Sequence, residues 1–438
     1  MIRRYNSYKN AELVWLGSIP EGWQICRNKE IFYEVSNCKS TGEETLLTVS
    51  HITGVTPRSE KNVNMFFAES MEGYKKASKG DLIINTMWAW MGALGVSKEE
   101  GICSPSYNVY RNIRGVAYSP TYFDYLFRTP MFIMEMTRFS KGIVESRLRL
   151  YPKDFFRIQT CLPSLQEQTA IAEYLDTKTQ AIDKKVSLLE KKIGYYQELR
   201  KSLINETVTK GLDKNVKLKA SSIDWIGQIP EHWEVKRLKD IASITFSNVD
   251  KREKEDQESV LLCNYTDVYK NEFISSKIDF MVNTASISEI KRFELRKGDL
   301  ICTKDSESFD DIANPAVCVE DLKGVVCGYH LALIRPNGRY IHSNYLLRLF
   351  QSEDFNYGFK IAAKGITRVG LGINVFFDAK SIIPTLSEQI QIADYLTDKT
   401  SKIDKIITNI QTQITTLKEL RKTLINDVVT GKIKVIQD

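Results

Sequence analysis

Histidine is scarce in this sequence, and its cysteines are not arranged as a metal site requires. Only 4 of the 438 residues are histidines, although histidine is the side chain that enzymes use most often for proton transfer. No two cysteines have the Cys-x-x-Cys spacing, and no histidine lies at ligand spacing from a cysteine, which argues against a zinc ion. We expect the 8 cysteines to be reduced and buried as small apolar side chains: Cys26, Cys38, Cys103, Cys161, Cys263, Cys302, Cys318 and Cys327.

The common signatures of catalysis are also missing. The sequence contains neither a Gly-x-x-x-x-Gly-Lys-(Ser/Thr) phosphate loop nor a Gly-x-Gly-x-x-Gly cofactor turn. Asn314–Val317 begins like the Asn-Pro-Pro-aromatic motif of DNA adenine methyltransferases, but its last two residues are wrong for holding a flipped base. The acidic pairs Glu99–Glu100 and Asp310–Asp311 lie in charged stretches and are interpreted as solvated. We therefore expect no catalytic site, no cofactor and no metal in this chain.

Long apolar runs and strong compositional bias are absent as well. No apolar run approaches the roughly 20 residues of a membrane-spanning helix. Met1–Asn6 lacks the apolar core of a signal peptide, so we expect a cytoplasmic protein. With 42% hydrophobic residues, 26% charged residues, 23 Gly and 11 Pro, the composition is typical of a globular chain of two to four domains. The net charge of +6 is compatible with a nucleic-acid partner but too small to indicate one by itself.

The strongest positive signal is an internal repeat. Residues 162–175 match residues 383–396 at an offset of 221 residues (Leu165 to Leu386), and this match continues without a gap through Glu198–Asn205 and its copy. Upstream, residues 15–23 and 225–233 share the pattern Trp-(Leu/Ile)-Gly-x-Ile-Pro-Glu-x-Trp. Between these landmarks the halves diverge, apart from Lys-Gly-Asp-Leu-Ile at 79–83 and 297–301 and Lys-Gly-Ile at 141–143 and 364–366. Each half thus consists of a divergent globular domain followed by a nearly constant segment.

The two constant segments are predicted to be long helices. Ser164 with Glu167, and Thr385 with Glu388, have the spacing of a capping box at a helix start. The apolar positions that follow alternate by three and four residues, as in a coiled-coil seam. Each helix would be roughly 60–65 Å long, and its apolar stripe needs a partner, for which the other copy is the nearest candidate. A plain dimerisation coiled coil is the alternative interpretation. The predicted seam residues are Leu175, Ile182, Val186, Leu189, Ile193, Tyr196, Leu203, Leu396, Ile403, Ile407, Ile410, Ile414, Leu417 and Leu424.

The fold class that follows is α+β. Two pseudo-symmetric mixed α/β domains with mostly antiparallel sheets are separated by a long antiparallel two-helix coiled coil. Helices are predicted near Tyr122–Phe139 and Ser343–Phe359. The domain boundaries are residues 1–163 and 213–384 for the globular domains, and 164–212 and 385–438 for the helices.

Basic and aromatic residues are interleaved in several loops of both domains. Lysine and arginine can hold DNA phosphates, and a subset of such side chains can reach base edges in the major groove. The alternative for any one of them is a solvated charge or a core aromatic, as for Trp88 and Trp90; Lys141 and Lys364 are favoured because both halves keep them. The candidate DNA-binding residues are Arg58, Lys61, Trp88, Trp90, Tyr107, Arg111, Lys141, Arg147, Arg149, Lys304, Tyr329, His330, Arg335, Lys364 and Arg368.

In the paired order of these motifs, the chain resembles the specificity (S) subunits of Type I restriction–modification systems. The resemblance rests on the Trp-flanked opening motif, Lys-Gly-Asp-Leu-Ile, Pro-(Ser/Thr)-Leu-x-Glu-Gln and Glu-Leu-Arg-Lys-x-Leu-Ile-Asn, each present twice. It implies two target-recognition domains for double-stranded DNA, each reading one half of a bipartite asymmetric site. It also implies a helical spacer that docks two methyltransferase subunits, together with restriction/translocase subunits. S-adenosylmethionine and ATP with Mg²⁺ would bind to those partners. The alternative function is a coiled-coil adaptor that binds no DNA.

Overall fold

A computed structural model describes residues 4–36, 44–60, 71, 73–144 and 147–436. The chain divides into two compact units, which we call unit 1 (Met1–Glu190 with Thr412–Asp438) and unit 2 (Lys191–Gln411). The division falls after Glu190 and after Gln411, which are 221 residues apart and therefore equivalent in the repeat. Each unit thus contains one globular part and a stretch of both long helices, and the four-segment domain division stays a prediction.

Unit 1 is a mixed α/β unit with short strands. Its helices are α1 (Asn28–Ile31), α2 (Pro120–Phe127), α3 (Pro130–Phe139), α4 (Pro152–Phe155) and the start of α5 (Leu165–Lys210). Its strands are β1 (Tyr8–Leu13), β2 (Leu16–Pro20), β3 (Gln24–Arg27), β4 (Phe32–Glu34), β5 (Leu47–Ser50), β6 (Gly54–Pro57), β7 (Lys75–Ala77), β8 (Leu82–Asn85), β9 (Leu94–Val96), β10 (Gly101–Cys103), β11 (Tyr107–Asn112) and β12 (Gln159–Leu162).

The main sheet of unit 1 has four antiparallel strands in the order β4-β11-β8-β9. The apolar run that forms β8 is buried at every position, as expected for an interior strand covered on both faces. Helices α2 and α3 pack their phenylalanines on this sheet, with Phe32 of β4 in edge contact with Phe123 at 5.6 Å between ring centroids. Edge-to-face packing of this kind adds to the stabilisation from burial alone.

Unit 2 has the larger sheets. Its helices are α6 (Leu238–Ile241), α7 (Tyr265–Lys270), α8 (Ile287–Phe293), α9 (Ser343–Gln351), α10 (Glu353–Ala362), α11 (Ile373–Asp378) and α12 (Leu386–Val429). Its strands are β13 (Leu218–Ala220), β14 (Gln228–Pro230), β15 (Glu234–Arg237), β16 (Ala242–Phe246), β17 (Glu258–Cys263), β18 (Phe273–Ile274), β19 (Met281–Ala285), β20 (Glu294–Leu295), β21 (Leu300–Thr303), β22 (Asp305–Ser306), β23 (Pro315–Cys318), β24 (Leu322–Cys327), β25 (Leu331–Pro336), β26 (Val369–Gly370) and β27 (Lys380–Ile383).

Two sheets form the body of unit 2: a five-stranded sheet of order β16-β25-β21-β23-β18 and a four-stranded sheet of order β19-β17-β24-β20. Only the β18–β23 and β17–β24 pairs in them are parallel, among the described residues. Strand β21 is the counterpart of β8 and is likewise buried at all four positions. With mixed α/β units, mostly antiparallel pairing and two long helices, the α+β fold class is confirmed.

The helices predicted near Tyr122–Phe139 and Ser343–Phe359 are each two helices in the structure. In unit 1 the break lies at Arg128 and Thr129, where the Thr129 hydroxyl accepts from Phe132 N and Pro130 is the first helical residue. In unit 2 the Ser352 hydroxyl caps α10 by accepting from Phe355 N. A side-chain cap starts a new helix direction, and the hydrophobic spacing on which the sequence prediction relied does not reveal such a break.

The long helices α5 and α12 pack against each other in antiparallel fashion within each unit. In unit 1, Asp183 pairs with Arg421 at 3.0 Å, and Glu190, further along α5, pairs with Lys418, which lies earlier in α12. In unit 2, Arg200 of α5 pairs with Asp404 of α12 at 3.1 Å. All fourteen seam residues of the sequence prediction are buried or half-buried. Apolar contact along the seam, with ion pairs at its margin, is the arrangement of a coiled coil.

The capping boxes differ between the two helix starts. At α12 the box is complete, because Thr385 Oγ1 accepts from Glu388 N at 3.3 Å and the Glu388 carboxylate accepts from Thr385 N at 3.1 Å. At α5 the Ser164 hydroxyl accepts from Glu167 N, but the Glu167 carboxylate accepts from the Tyr5 hydroxyl. The prediction of a reciprocal box is therefore confirmed at α12, whereas at α5 an N-terminal tyrosine competes for the glutamate.

The glutamine that follows each capping box connects the helix start to the globular part by hydrogen bonds. Gln168 is fully buried; its Oε1 accepts from Ser119 N at 2.8 Å, and its Nε2 donates to Pro163 O at 3.0 Å. Gln389 makes the equivalent pair of bonds, with His342 N at 2.8 Å and Pro384 O at 2.9 Å. A buried amide with satisfied hydrogen bonds fixes orientation more strictly than an apolar side chain.

Unit 2 contains a partly buried ion network that joins its sheet to the coiled coil. Arg348 of α9 is 1% exposed and donates to Glu272 at 2.7 Å, and Glu272 also accepts from Arg200 of α5 at 2.9 Å. Arg348 further donates to Thr397 of α12 at 3.1 Å. Burial is the largest influence on the Arg348 guanidinium and lowers its pKa, against the opposing effect of Glu272.

We expect Arg348→Ala to destabilise unit 2 by about 2 kcal/mol, because the change removes the hydrogen bonds of a buried guanidinium to Glu272 and Thr397. Hydrogen exchange of peptides from α9 and α12 measures the effect. Lys402→Ala is the matched control, since its ion pair with Asp398 is exposed and such a pair contributes at most about 1 kcal/mol. Equal exchange rates in the two variants would show that the network contributes no more than a surface pair.

The seven described cysteines form no disulfide bond with one another, and six of them are buried while Cys26 is half-buried. Cys38 lies outside the described residues. Among the helices that the structure describes, none is long and apolar enough to cross a membrane.

Candidate nucleic-acid interface

The structure brings four of the six candidate residues of unit 2 together around one carboxylate, Asp305. Asp305 Oδ2 lies 2.7 Å from His330 Nδ1, and its Oδ1 accepts from Arg368 Nη2 at 2.6 Å. Tyr329 packs edge-on against His330, and Lys304 precedes Asp305 in the chain. We call Lys304, Tyr329, His330 and Arg368 with Asp305 the unit 2 cluster.

Lys304 of this cluster lies between aromatic rings. Its ammonium is 4.6 Å from the Tyr329 ring centroid and 4.9 Å from that of Phe246, and its Nζ donates to Ser247 O at 3.4 Å. Burial lowers the pKa of Lys304, while the nearby Asp305 opposes that effect. A cation held over ring faces is well fixed in position, so Lys304 orients the exposed Tyr329 ring and is itself only partly available to a ligand.

A cleft of about 310 Å³ adjoins the unit 2 cluster and is lined in part by Tyr265, Tyr329 and His330. Two further basic residues, Lys251 and Arg252, line the same cleft. Imidazole, phenol and ammonium groups can all donate hydrogen bonds to phosphate oxygens or base edges. The surface can therefore bind a polyanion with flat, hydrogen-bonding edges.

Lys364, the fifth candidate of unit 2, lies at the base of a tight loop that we call finger 2 (residues 364–370). Lys364 N donates to Gly370 O at 3.1 Å, and Gly370 N donates back to Lys364 O at 2.9 Å. The loop is attached to the unit 2 cluster through Arg368 and through the hydrogen bond from Leu371 N to Lys304 O at 2.8 Å.

Unit 1 has an equivalent loop, finger 1 (residues 141–144 and 147–149 as described). Lys141 and Arg149 exchange two backbone hydrogen bonds of 2.9 Å across its base. The Lys141 ammonium is 59% exposed and pairs at 3.0 Å with the buried carboxylate of Asp154. Arg147 and Arg149 are exposed. Three candidate cations of unit 1 thus share one loop.

The aromatic candidates of unit 1 lie on the turn after β8. Thr86, which begins that turn, accepts from Leu150 N at 3.1 Å, so finger 1 and the turn are joined. Trp88 is 50% exposed, which rules out the core interpretation for its side chain. Trp90 is half-buried and donates from Nε1 to Met87 O at 3.0 Å.

Tyr107 and Arg58 are further candidates of unit 1. Tyr107 is half-buried on β11, and burial raises the pKa of its hydroxyl, with Arg58 opposing that shift. Arg58 begins a short 3-10 turn. Lys61 lies outside the described residues.

Arg111 and Arg335 hold structural turns in both units. Arg111 donates to Asp81 through Nε at 2.8 Å and Nη2 at 2.7 Å, and Arg335 Nε lies 3.2 Å from Asp299. Asp81 and Asp299 are the acidic residues of the Lys-Gly-Asp motifs, and their carboxylates also accept the backbone N–H of Ser78 and Arg296, respectively. Both arginines are therefore engaged within the fold, which favours a structural role over DNA contact.

Glycine is required in these turns. Gly80 and Gly298 have φ of +93° and +89°, a region that side chains with a Cβ rarely adopt. The Lys-Gly-Asp-Leu-Ile repeat thus encodes a turn, an arginine-binding aspartate and a buried strand. The motif recurs because the two units share this part of their structure, which we call the frame.

Sequence reasoning missed the acidic residues that orient the candidates. Asp305 directly follows candidate Lys304, so the sequence places a carboxylate beside that candidate. Asp154 is distant from Lys141 in sequence, so the sequence does not indicate that the two side chains meet. The signal for Asp305 was its place directly after candidate Lys304, since carboxylates form strong hydrogen bonds with cationic side chains. Within the described residues, no group of three or more His, Cys, Asp or Glu side chains is arranged to hold a metal ion.

Comparison with known proteins gives matches in both sequence and fold. The family described as the Type I restriction modification DNA specificity domain matches residues 230–416. The putative type I restriction enzyme MjaX specificity subunit of Methanocaldococcus jannaschii is 27% identical over 209 residues, which is 47% of each chain. The type I restriction enzyme MjaVIII specificity subunit of the same organism is 24% identical over 65% of this chain and 64% of its own length. The chain therefore spans less than two thirds of the length of each of these relatives.

Two solved structures have the same fold over almost the whole chain. A chain from a study of the complex assembly and conformational transition of the type I R-M system matches with a TM-score of 0.71 and 14% identity, covering 95% of this chain and 99% of that one. The HsdS subunit from Thermoanaerobacter tengcongensis matches with a TM-score of 0.56 and 15% identity, covering 95% and 98%. This chain thus shares the fold of these two structures, and its residues 230–416 match the model of the Type I restriction modification DNA specificity domain.

Proposed function

We propose that this chain is the non-catalytic DNA-recognition subunit of a Type I restriction–modification complex. Each globular part reads one half of a bipartite asymmetric site in double-stranded DNA. The observation that carries the proposal is that one repeated frame presents two different sets of exposed cations and aromatics. In both units a finger loop is bonded to the segment after the buried central strand, at Thr86 and at Lys304.

The two units share the turn and buried strand of the Lys-Gly-Asp-Leu-Ile motif but differ in their finger loops, which supports two independent DNA-recognition domains. Phosphate contacts from lysine and arginine position a protein on DNA, whereas contacts to base edges give specificity. Finger 1 supplies Lys141, Arg147 and Arg149, whereas finger 2 supplies Lys364 and Arg368 beside an imidazole. Because the two sets differ in chemistry, the two half-sites should differ in sequence.

The long helices are proposed to set the unread spacer between the half-sites and to dock two methyltransferase subunits, with restriction/translocase subunits joining the complex. Leu199 of unit 2 and Leu420 of unit 1 support the docking role. They are equivalent in the repeat and are 51% and 53% exposed. Two equivalent apolar positions suit two copies of one partner. S-adenosylmethionine, ATP and Mg²⁺ would be bound by those partners.

A methylation map tests the proposal. The full chain is expressed with the modification subunit encoded beside it in a host that lacks DNA methylation, and the DNA is sequenced for modified bases. We expect methylation at one split, asymmetric motif only when this chain is present. If the partner is folded and bound to this chain but no methylation appears, the DNA-reading role is wrong and the adaptor function takes its place.

A further inference from the structure

Each finger carries a fully exposed isoleucine at its tip. Ile143 and Ile366 are 103% and 102% exposed, which makes them the two most exposed large hydrophobic side chains among the described residues. They occupy the same position in the Lys-Gly-Ile pattern of the two halves. A single exposed isoleucine is ordinary on a protein surface, but two at equivalent positions of otherwise divergent loops call for a common cause.

The backbone of each finger forces this isoleucine outward. A Cβ at Gly365 would lie 1.9 Å from Arg368 O, and Gly365 has φ of +143°. A Cβ at Gly142 would lie 2.7 Å from Arg147 O. Only glycine permits such close crossing of the two arms of the loop, and the isoleucine that follows it is fully exposed.

Each finger also has cations at its base. In finger 2, Arg368 is fixed by Asp305, and the described residues provide no carboxylate partner for the Lys364 ammonium. In finger 1, Lys141 is fixed by the 2%-exposed carboxylate of Asp154, next to the exposed Arg149. Positive charge at the base and an apolar tip match a DNA groove, where phosphates line the rim and base edges line the floor.

We propose that Ile143 and Ile366 are base-contacting residues that enter a groove of the DNA and help to specify one half-site each. Their apolar side chains suit the thymine methyl group, which is the apolar feature of the major groove. The basic residues of each finger hold the adjacent phosphates. This inference rests on the proposed function, because it names the residues through which the two readers touch bases.

The test uses the full chain assembled with its modification subunits and compares Ile143→Ser and Ile366→Ser with two control variants. The controls are Ile52→Ser and Ile287→Ser, whose isoleucines are each 74% exposed outside the fingers. Binding to duplexes of the mapped site is measured between low and physiological salt. Duplexes with a changed base in either half-site identify which half each residue contacts.

We expect each finger variant to bind the cognate site about tenfold more weakly, in keeping with the transfer free energy of a largely buried isoleucine. The loss should depend on bases of one half-site only, and the slope of affinity against salt should stay unchanged because no phosphate contact is lost. Lys364→Ala should instead reduce that slope by about one. Ile143→Val and Ile366→Val should retain most of the affinity.

The outcomes separate this inference from the proposed function. If the unmodified chain directs methylation to a bipartite site but the finger variants bind like the controls, the inference is wrong and the proposed function stands. An equal loss on both half-sites, or on all DNA sequences, would also overturn it, since a base contact acts locally. If the unmodified complex neither binds nor methylates DNA, the proposed function and this inference fall together.

Discussion

Replacing residues 15–163 with the equivalent domain of a related specificity subunit should change one half of the recognised DNA site and leave the other half unchanged. The structure gives a physical reason to expect a folded chimera. The replaced segment meets the rest of unit 1 through frame contacts that recur in unit 2, such as Tyr122 Oη to Val429 O at 3.3 Å, which corresponds to Tyr345 Oη to Val208 O at 3.4 Å. A donor domain with the same frame residues would keep these bonds while bringing its own finger.

The methylation map of the chimera measures this, and the effect is all or none at the bases of one half-site. The reciprocal exchange of residues 225–384 is the control and should change the other half only. The modification subunit must co-purify with both chimeras, which shows that docking is intact. A simultaneous change of both halves in either chimera would contradict the assignment of one reader to each domain.

The features that sequence reasoning predicted well are those repeated in the chain. The long helices follow from a heptad pattern that an apolar seam requires, and Gln168 and Gln389 explain why the motif before each helix recurs. The Trp-flanked opening motif buries Trp23 and Trp233, which are each 1% exposed. All of these residues maintain the frame, so the resemblance identified a fold through its structural contacts.

The candidate site was predictable only in outline. Sequence placed cations and aromatics in loops, but it could not tell that Arg111 binds Asp81, because that contact joins strands that are distant in the chain. Nor could it assign Trp88 to the surface, since large aromatics fill cores and interfaces equally well. The sequence makes the lysine of the Lys-Gly-Ile pattern a candidate, whereas the exposure of the isoleucine is seen only in the structure.

Unit 1 and unit 2 share a frame but differ in how the globular part meets the coiled coil. In unit 1, Tyr125 donates to Asp176 of α5 at 2.8 Å, a neutral donor on a carboxylate. At the equivalent place in unit 2, Arg348 donates to the Thr397 hydroxyl of α12. The charged partner of this contact therefore belongs to the globular part and not to the long helix. Divergence has thus exchanged the donor and acceptor chemistry while keeping a polar contact at the same position.

Inserting one heptad into each long helix should abolish methylation at the natural spacing. The sites for insertion are the unit divisions, after Glu190 and after Gln411, where the repeat makes the two insertions equivalent. Seven residues lengthen a helix by about 10 Å and preserve the seam register. If the helices set the spacer, this length corresponds to about three base pairs at 3.4 Å each, which also turns the second half-site to another side of the duplex.

Three heptads in each helix provide the decisive comparison. They add about 32 Å, which is close to one turn of DNA at 34–36 Å, so the second half-site faces the protein again. We expect methylation to return at a site whose spacer is longer by about nine base pairs. Inserting three residues in each helix breaks the heptad register and serves as the control for loss of the seam. If the inserted variants fold, as judged by their helical circular dichroism, and still methylate at the natural spacing, the helices do not determine the distance between the half-sites.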